Sequence, residues 1–439
     1  MSVNNRDEGS KAWSGEPIGW LLLAALFVLV IFCWVSIQAF TFNGLSSPLF
    51  LALAAILLFP VIILKVQVGR RSLILYLLWA GWVVFVDAIS GDFLPAFARD
   101  AHWLIFPLLI NSISELVKLQ PMTPRIFRLS AAVSVFLILV SYLLSANVVV
   151  DWSHPPLFGN IRHFGMTMGF FVVILSGRGD ADKYEKIFIG TSRVIGLAML
   201  LWSGSRAPVL GWVAAGAIFI RLRTNAEVPV LLATELLAAT ALALLFDPGD
   251  SGSVGLLSMF IRSAHSSSLD ELSAGRGALW SNTIKALLEH ERWITGAGGN
   301  GFIRLGLSEI GPIFHPHNIF LQLLTDWGVV GLILFSVFIL GSGLIRTSYF
   351  PHATEALAMI GFVLVSGQFD ASTYHLEHLV YFSIPLGMLL ATGKQDPTPI
   401  SIKWLAVMGI AAFSLLHVYL IDYRINWNTL KHAPIQRGP

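Results

Sequence analysis

The sequence predicts an all-α, polytopic membrane protein with about 12 transmembrane helices and one large outer loop containing amphipathic helices. Three observations predict this. Only 12% of its 439 residues are charged and 55% are hydrophobic, whereas soluble domains carry about a quarter charged residues. Mean hydropathy is +0.73. Apolar runs long enough to cross a hydrocarbon core of roughly 30 Å recur along the whole chain. The connections between them alternate between basic and nearly uncharged.

The runs fall at 18–38, 45–66, 72–90, 96–117, 127–146, 160–176, 187–203, 206–221, 229–246, 318–345, 354–370, 377–392 and 402–421. Residues 1–17 are polar, and the run after them is too long for a signal-peptide core, so it is expected to stay as the first span. The single Cys33 lies inside it, which excludes an intrachain disulfide. Lys65/Arg70/Arg71, Lys118/Arg125/Arg128, Arg178/Lys183/Lys186, Arg221/Arg223, Arg346 and Lys394/Lys403 share one side. By the positive-inside rule that side, and the N-terminus with it, is cytoplasmic. The expected divisions are nine spans in 1–246, the outer loop 247–317, C-terminal spans in 318–421 and a polar tail 422–439. If every run crosses, Arg424, Lys431 and Arg437 fall outside, so one run is expected to be re-entrant or interfacial, near Arg99-Asp100-Ala101-His102. A net charge of +2 does not point to nucleic acid, and the chain shows no internal repeat or low-complexity tract.

Within the outer loop, Gly275-Arg276 leads into Ala278–Ile294, an expected amphipathic helix with Trp280, Ile284, Leu287 and Leu288 on one face. Lys285, Glu289 and Glu291 lie off that stripe. The run Gly296-Ala297-Gly298-Gly299-Asn300-Gly301 marks a turn that either cradles a phosphate or simply permits tight backbone.

Candidate chemistry gathers at the predicted outer ends of spans. In Ser203-Gly204-Ser205-Arg206-Ala207-Pro208, Ser205 is expected to cap a helix and Pro208 suits its first turn. Arg206 then stands at a helix N-terminus, where dipole and free N–H groups favour an anion. Arg276 follows a Ser-Ala-Gly turn in the same way, and Arg162 beside His163 repeats the pattern in Gly159-Asn160-Ile161-Arg162-His163-Phe164-Gly165. The plain alternative for Arg206 is snorkelling to lipid headgroups, and for Arg276 an ordinary surface arginine on a loop. His315-Pro316-His317-Asn318 opens a long apolar helix running through Asp326-Trp327-Gly328-Val329-Val330-Gly331. Asn318 suits a cap, which leaves His317 at the helix mouth, where a neutral imidazole would serve as general base; an interfacial structural histidine is the bland reading. His315 either orients the site or merely precedes Pro316. Guanidinium stays charged and offers planar paired donors to phosphate, so two or three of them can match a pyrophosphate without a metal. Asp87, Asp92 and Asp100 read as interface ion pairs, with Arg99 for example, and Tyr374-His375-Leu376-Glu377-His378 as interface structure. No metal site and no cofactor is expected.

His317-Asn318, nine residues, Gly328, two residues, Gly331 resembles a motif of the bacterial O-antigen ligase family. So do Ser-Gly-Ser-Arg206 at the head of a span and Arg276 followed by Trp280 in the loop before the histidine. The resemblance covers about residues 18–392. It implies an inner-membrane glycosyltransferase, metal-independent and all-helical, whose large loop and active site face the periplasm. It also implies an undecaprenyl-pyrophosphate-linked glycan as donor, a sugar hydroxyl of lipid A–core as acceptor, and lipopolysaccharide as product. In that light His317 activates the acceptor hydroxyl, Arg206 and Arg276 hold the departing pyrophosphate, and a single displacement inverts the anomeric carbon. Arg162, His163, His315, Asn318 and Trp280 become substrate contacts. The amphipathic helix is expected to roof a side-opening cavity and restrict water.

The nearest rival is a polymerase of the same superfamily, followed by a protein-glycosylating ligase. A transporter or flippase would be expected to show repeats, broken helices and ionisable residues at mid-membrane.

Overall fold

A computed structural model of the chain describes residues 67–119, 123–145, 160–177, 182–223, 227–245, 275–307, 315–341, 352–370, 376–391 and 399–401, together with 155, 158, 255, 256 and 261. The predicted runs 18–38, 45–66 and 402–421, Cys33, the polar tail and most of 247–274 lie outside the described residues. In chain order the elements are β1 (Gln67–Gly69), α1 (Arg70–Ile89), α2 (Phe93–Leu119), α3 (Thr123–Ser145), α4 (Ile161–Leu175), α5 (Lys183–Trp202), α6 (Arg206–Arg223) and α7 (Glu227–Leu245). After these come α8 (Arg276–Glu289), the single turn α9 (Gly301–Arg304), α10 (Ile319–Gly341), α11 (Ala353–Ser366), α12 (Leu376–Ala391) and β2 (Pro399–Ser401).

Helix dominates, because in hydrocarbon each backbone polar group must be satisfied within its own segment. Among the described residues five helices are long and apolar enough to cross a membrane: α1, α2, α3, α7 and α10. The apolar helices α4, α11 and Tyr381–Ala391 of α12 are shorter. The all-α expectation needs one amendment. β1 and β2 pair antiparallel, Gln67 opposite Ser401 and Gly69 opposite Pro399. Pairing satisfies backbone groups that neither short segment satisfies alone.

The bundle is built on close helix contacts, the most extensive between α6 and α11 and between α2 and α12. Gly211 permits the first of these, since a Cβ there would overlap Phe362 and Ser366 of α11. At the basic ends of the helices, Arg125 pairs with Glu185, and Arg223 pairs with Glu355 at 2.8 Å. Arg193 of α5 pairs with Glu235 of α7. Helix α4 has only 15 residues, and its last carbonyls meet guanidiniums rather than water. Arg193 donates to the Leu175 carbonyl at 3.4 Å and Arg223 to the Ser176 carbonyl at 3.0 Å. Arg193 and Glu235 escaped the sequence reading because each stands alone in an apolar run.

Helix α10 is interrupted. Gly328 has φ 66° and ψ −175°, which opens the helical ladder in the middle of the span. The freed groups are taken up by the segment before α9. Ala297 N–H donates to Thr325 O (2.8 Å) and Gly298 N–H to Asp326 O (2.9 Å). Val329 N–H donates to Trp293 O (2.9 Å), and Val330 N–H to Ile294 O (3.3 Å). Such breaks are tolerated in membranes where other protein re-satisfies the backbone. Gly328 and Gly296 meet face to face, and a Cβ on Gly328 would sit 2.5 Å from Gly296 N. The glycine run is therefore a docking turn. Its amides are occupied within the chain: Gly299 N–H donates to Asp87 Oδ1 (2.9 Å) and Gly301 N–H to Asp326 Oδ1 (2.8 Å).

Two expectations change here. Asp87 and Asp100 are fully buried rather than interfacial. Asp100 accepts from Trp327 Nε1 at 2.9 Å, while Asp92 lies 3.9 Å from Arg304. Arg304 also donates to the carbonyls of Gly299, Ser90 and Asp92, tying the turn to the end of α1. The Arg99–His102 stretch is continuous helix within α2, so the chain does not reverse there. A broken helix and buried ionisable groups, among the features expected of a transporter, are both present. Asp87 and Asp326, however, serve as anchors for the docking turn.

Candidate functional site

The residues that sequence placed on four separate segments meet at one end of the bundle. Asn160 caps α4, its Oδ1 accepting from Arg162 N–H at 2.8 Å. Arg162 is exposed and His163 half-buried in the first turn. The Ser203–Ser205 turn packs directly against α4. Ser203 Oγ donates to Leu200 O and accepts from Ser205 N–H at 3.1 Å. Ser205 Oγ, expected to cap α6, donates across to the Ile161 carbonyl at 3.4 Å. It thereby ties the starts of α4 and α6 together, bringing Arg162 and Arg206 side by side. Gly165 makes the approach possible, since a Cβ there would lie 2.8 Å from Ser203 Oγ.

His317 is held with φ at 52°, a left-handed backbone that costs a non-glycine residue roughly 1–2 kcal/mol. Such strain persists where surrounding contacts enforce it, and here they do. Asn318 Oδ1 accepts from Phe320 N–H (2.9 Å) and Leu321 N–H (3.0 Å), the cap that sequence predicted. Asn318 Nδ2 donates to Gln368 O at 3.2 Å, and Ile319 N–H donates to Gly367 O at 2.8 Å. The mouth of α10 is thus sewn to the end of α11. Trp280 Nε1 donates to the Pro316 carbonyl at 2.9 Å and its ring lies 6.2 Å from Phe369. Trp280 therefore braces the His-Pro-His segment from α8. The His315 and His317 rings meet edge-on at 4.2 Å.

The stitching brings in a residue that sequence reasoning missed. Asp370 Oδ1 lies 3.4 Å from His317 Nδ1, with the two side chains 13% and 19% exposed. Asp370 was counted as the last residue of an apolar run, and its proximity to His317 depends on the α10–α11 contact. Its only sequence signal was a carboxylate at the outer end of a span.

The charges act on one another. Burial lowers the pKa of Arg276; Asp370 opposes that shift, while Arg162 and Arg206 add to it. Burial alone would raise the pKa of Asp370, but His317, Arg162 and His163 together hold it well below the usual carboxylate range. Burial, then His317, push the pKa of His315 well below the usual imidazole value, which keeps that ring neutral. The outcome is a cluster of Arg162, Arg206, Arg276 and Asp370 beside a histidine pair, whose His315 also feels Arg99. Such a cluster can bind a multiply charged anion and can move a proton at the free ring nitrogen of His317.

Helix α8 ends at Glu289, and its buried face is Leu279, Thr283, Ala286 and Leu287, which pack with Ala297, Phe302, Leu305 and Leu307. Of the predicted stripe, Leu287 is buried and Trp280 half-buried, but Ile284 and Leu288 are 45% and 57% exposed. The face is rotated because the docking turn covers one side of α8. The side chains of Tyr374–His378 lie outside the described residues.

A family model described as O-antigen ligase matches residues 192–336, which bears out the resemblance over that region. The match takes in Arg206, Arg276, Trp280, His315, His317 and Asn318. Arg162, His163 and Asp370 lie beyond it. No curated protein matches the chain.

Proposed function

Starting from an O-antigen ligase match over residues 192–336, we propose that this protein is a membrane glycosyltransferase. It takes a glycan from undecaprenyl pyrophosphate and passes it to a sugar hydroxyl of lipid A–core on the periplasmic face of the inner membrane. One observation carries the chemistry: His317, at the mouth of α10, lies against Asp370, which is in the field of Arg162 and Arg276, and Arg276 in turn is in the field of Arg206.

Asp370 faces Nδ1 of His317, which favours the tautomer with the proton there and leaves Nε2 as the base. Nε2 takes the proton of the acceptor hydroxyl as its oxygen attacks the anomeric carbon. The bond from that carbon to the pyrophosphate oxygen breaks in the same displacement, so the configuration inverts. The leaving group departs with its electron pair and about two or more negative charges, which Arg206 and Arg276 hold with paired donors and Arg162 supports at the rim. Arg162, Arg206 and Arg276 outnumber the one carboxylate, Asp370, and leave the site cationic, as an anionic leaving group requires. His315 and Trp280 set the position of His317 and contact substrate at its margin, as His163 does beside Arg162.

A polymerase of the same superfamily would use the same donor chemistry with another lipid-linked glycan as acceptor. The test uses purified protein and lipid-pyrophosphate-linked glycan, with lipid A–core or with no second acceptor. Product on lipid A–core that vanishes in His317→Ala supports the ligase reading. Lengthening of the donor glycan without lipid A–core makes the protein a polymerase. Transfer retained by His317→Ala removes the base assignment.

A further inference from the structure

The segment joining α8 to α9 enters the bundle in a way that a roof over an aqueous cavity would not. Its depth can be read against α1. Trp82 Nε1 donates to the Trp327 carbonyl at 2.9 Å, so the break in α10 is level with Trp82. Trp82 lies seven residues before the end of α1 at Ile89, which is about 10 Å along a helix axis. The carbonyls of Trp293 and Ile294 accept from Val329 and Val330, immediately beyond that break. By Gly298 the chain has climbed back to the end of α1, where a Cβ would meet Ser90 at 2.9 Å. The path from Trp293 to Gly298 therefore runs from just beyond the break in α10 back to the end of α1.

At the Trp293 end of this path the side chains face away from protein. Trp293 is 45% and Ile294 44% exposed, with Ile284 and Leu288 of α8 exposed beside them in sequence. At similar levels α1 exposes Val84 and Phe85, and α10 exposes Ile333. The carbonyls of Trp293 and Ile294 are taken up by Val329 and Val330 of α10, and Ile284 and Leu288 lie on the hydrogen-bonded helix α8. A tryptophan at the boundary between protein, headgroups and hydrocarbon is a common anchor.

We infer that Ile284, Leu288, Trp293 and Ile294 form a lipid-facing wedge, immersed in the acyl chains of the leaflet at the His317 end. Helix α8 is then an interfacial helix held down by a re-entrant loop. Arg276 and Trp280 sit on its opposite end, so the wedge ties part of the candidate site to the bilayer. The lipid contact does not depend on which reaction the site performs.

The first test leaves the chain unaltered. Protein in phosphatidylethanolamine and phosphatidylglycerol vesicles, doped with a lipid bearing a diazirine in its acyl chain, is photolysed, and adducts are mapped by mass spectrometry. Adducts are expected on Trp293 and Ile294 at a yield comparable with Phe85 and Ile333. Labelling of Phe85 and Ile333 with none on residues 284–294 would overturn the inference. A second measurement uses Cys33→Ser protein with single nitroxide-labelled cysteines at 285, 288 or 294. Oxygen accessibility relative to a water-soluble nickel chelate should be several-fold higher at 288 and 294 than at the exposed Lys285 position. Equal ratios at all three would also overturn it. Both readouts are structural, so they stand even if no glycan transfer is found.

Discussion

Asp370→Asn isolates the contribution of the residue that sequence did not reveal. The substitution keeps the shape of the side chain and removes its charge. In the structure Asp370 meets His317 Nδ1 at 3.4 Å, with both side chains less than a fifth exposed. A hydrogen bond to a charged group under such shielding contributes about 1.5–3 kcal/mol. If that stabilisation is felt as His317 gains a proton in the transition state, turnover should fall roughly 10- to 150-fold, at 1.4 kcal/mol per tenfold. The same carboxylate lies in the field of Arg276 and Arg162. Its neutralisation makes the site more cationic, so KM for the anionic donor should stay level or fall. The assay is initial-rate transfer at varied donor concentration. A loss carried by KM with kcat unchanged would refute the base-orienting role and recast Asp370 as a donor contact.

The acid side of stability should depend on the same residue. The pKa of Asp370 is depressed in the folded protein, so its contribution is fully present above the ordinary carboxylate value. That contribution is lost as pH falls through the folded value, and Asp370→Asn should flatten thermal-midpoint loss below about pH 4; an unchanged acid limb would contradict this. Arg206→Lys keeps the charge but loses the paired fork, and transfer should drop about 10- to 100-fold; near-normal turnover would mean that Arg206 only reaches for headgroups. Gly328→Ala places a Cβ 2.5 Å from Gly296 N in a left-handed backbone, and forces apart the contacts made by Val329 and Val330. The expected destabilisation is about 3–5 kcal/mol, read as a lower unfolding midpoint in detergent; an unshifted midpoint would disprove the rigid joint. Asp100→Asn can still accept from Trp327 and adds a donor toward the neighbouring Asp87, so it should change stability by less than about 1 kcal/mol. Asp100→Ala strands the buried indole N–H at a cost of about 1–3 kcal/mol, and equal effects of the two would refute the arrangement.

Much of this molecule was legible in its residues, for local reasons. The capping role of Asn318 and the helix starts at Arg206 and Arg276 follow from side-chain chemistry within a few positions, and the structure has them. The stripe on α8 was displaced because a helix rotates toward whatever packs on it, and that partner is the distant turn at 296–301. Ser205 was read as a cap because capping is the commonest task of a serine before a helix. Its hydroxyl instead joins α4, and that contact exists only once Gly165 lets the helices close.

The sequence by itself determined that this chain is helical and membrane-bound, and that its candidate chemistry sits at the ends of helices. Hydropathy, charge alternation and capping are properties of short stretches, so no folding is needed to read them. Tertiary structure alone decided that Asp370 meets His317, that α10 is broken and that the glycine turn fills the break. Each of these depends on backbone groups far apart in sequence satisfying one another where water cannot.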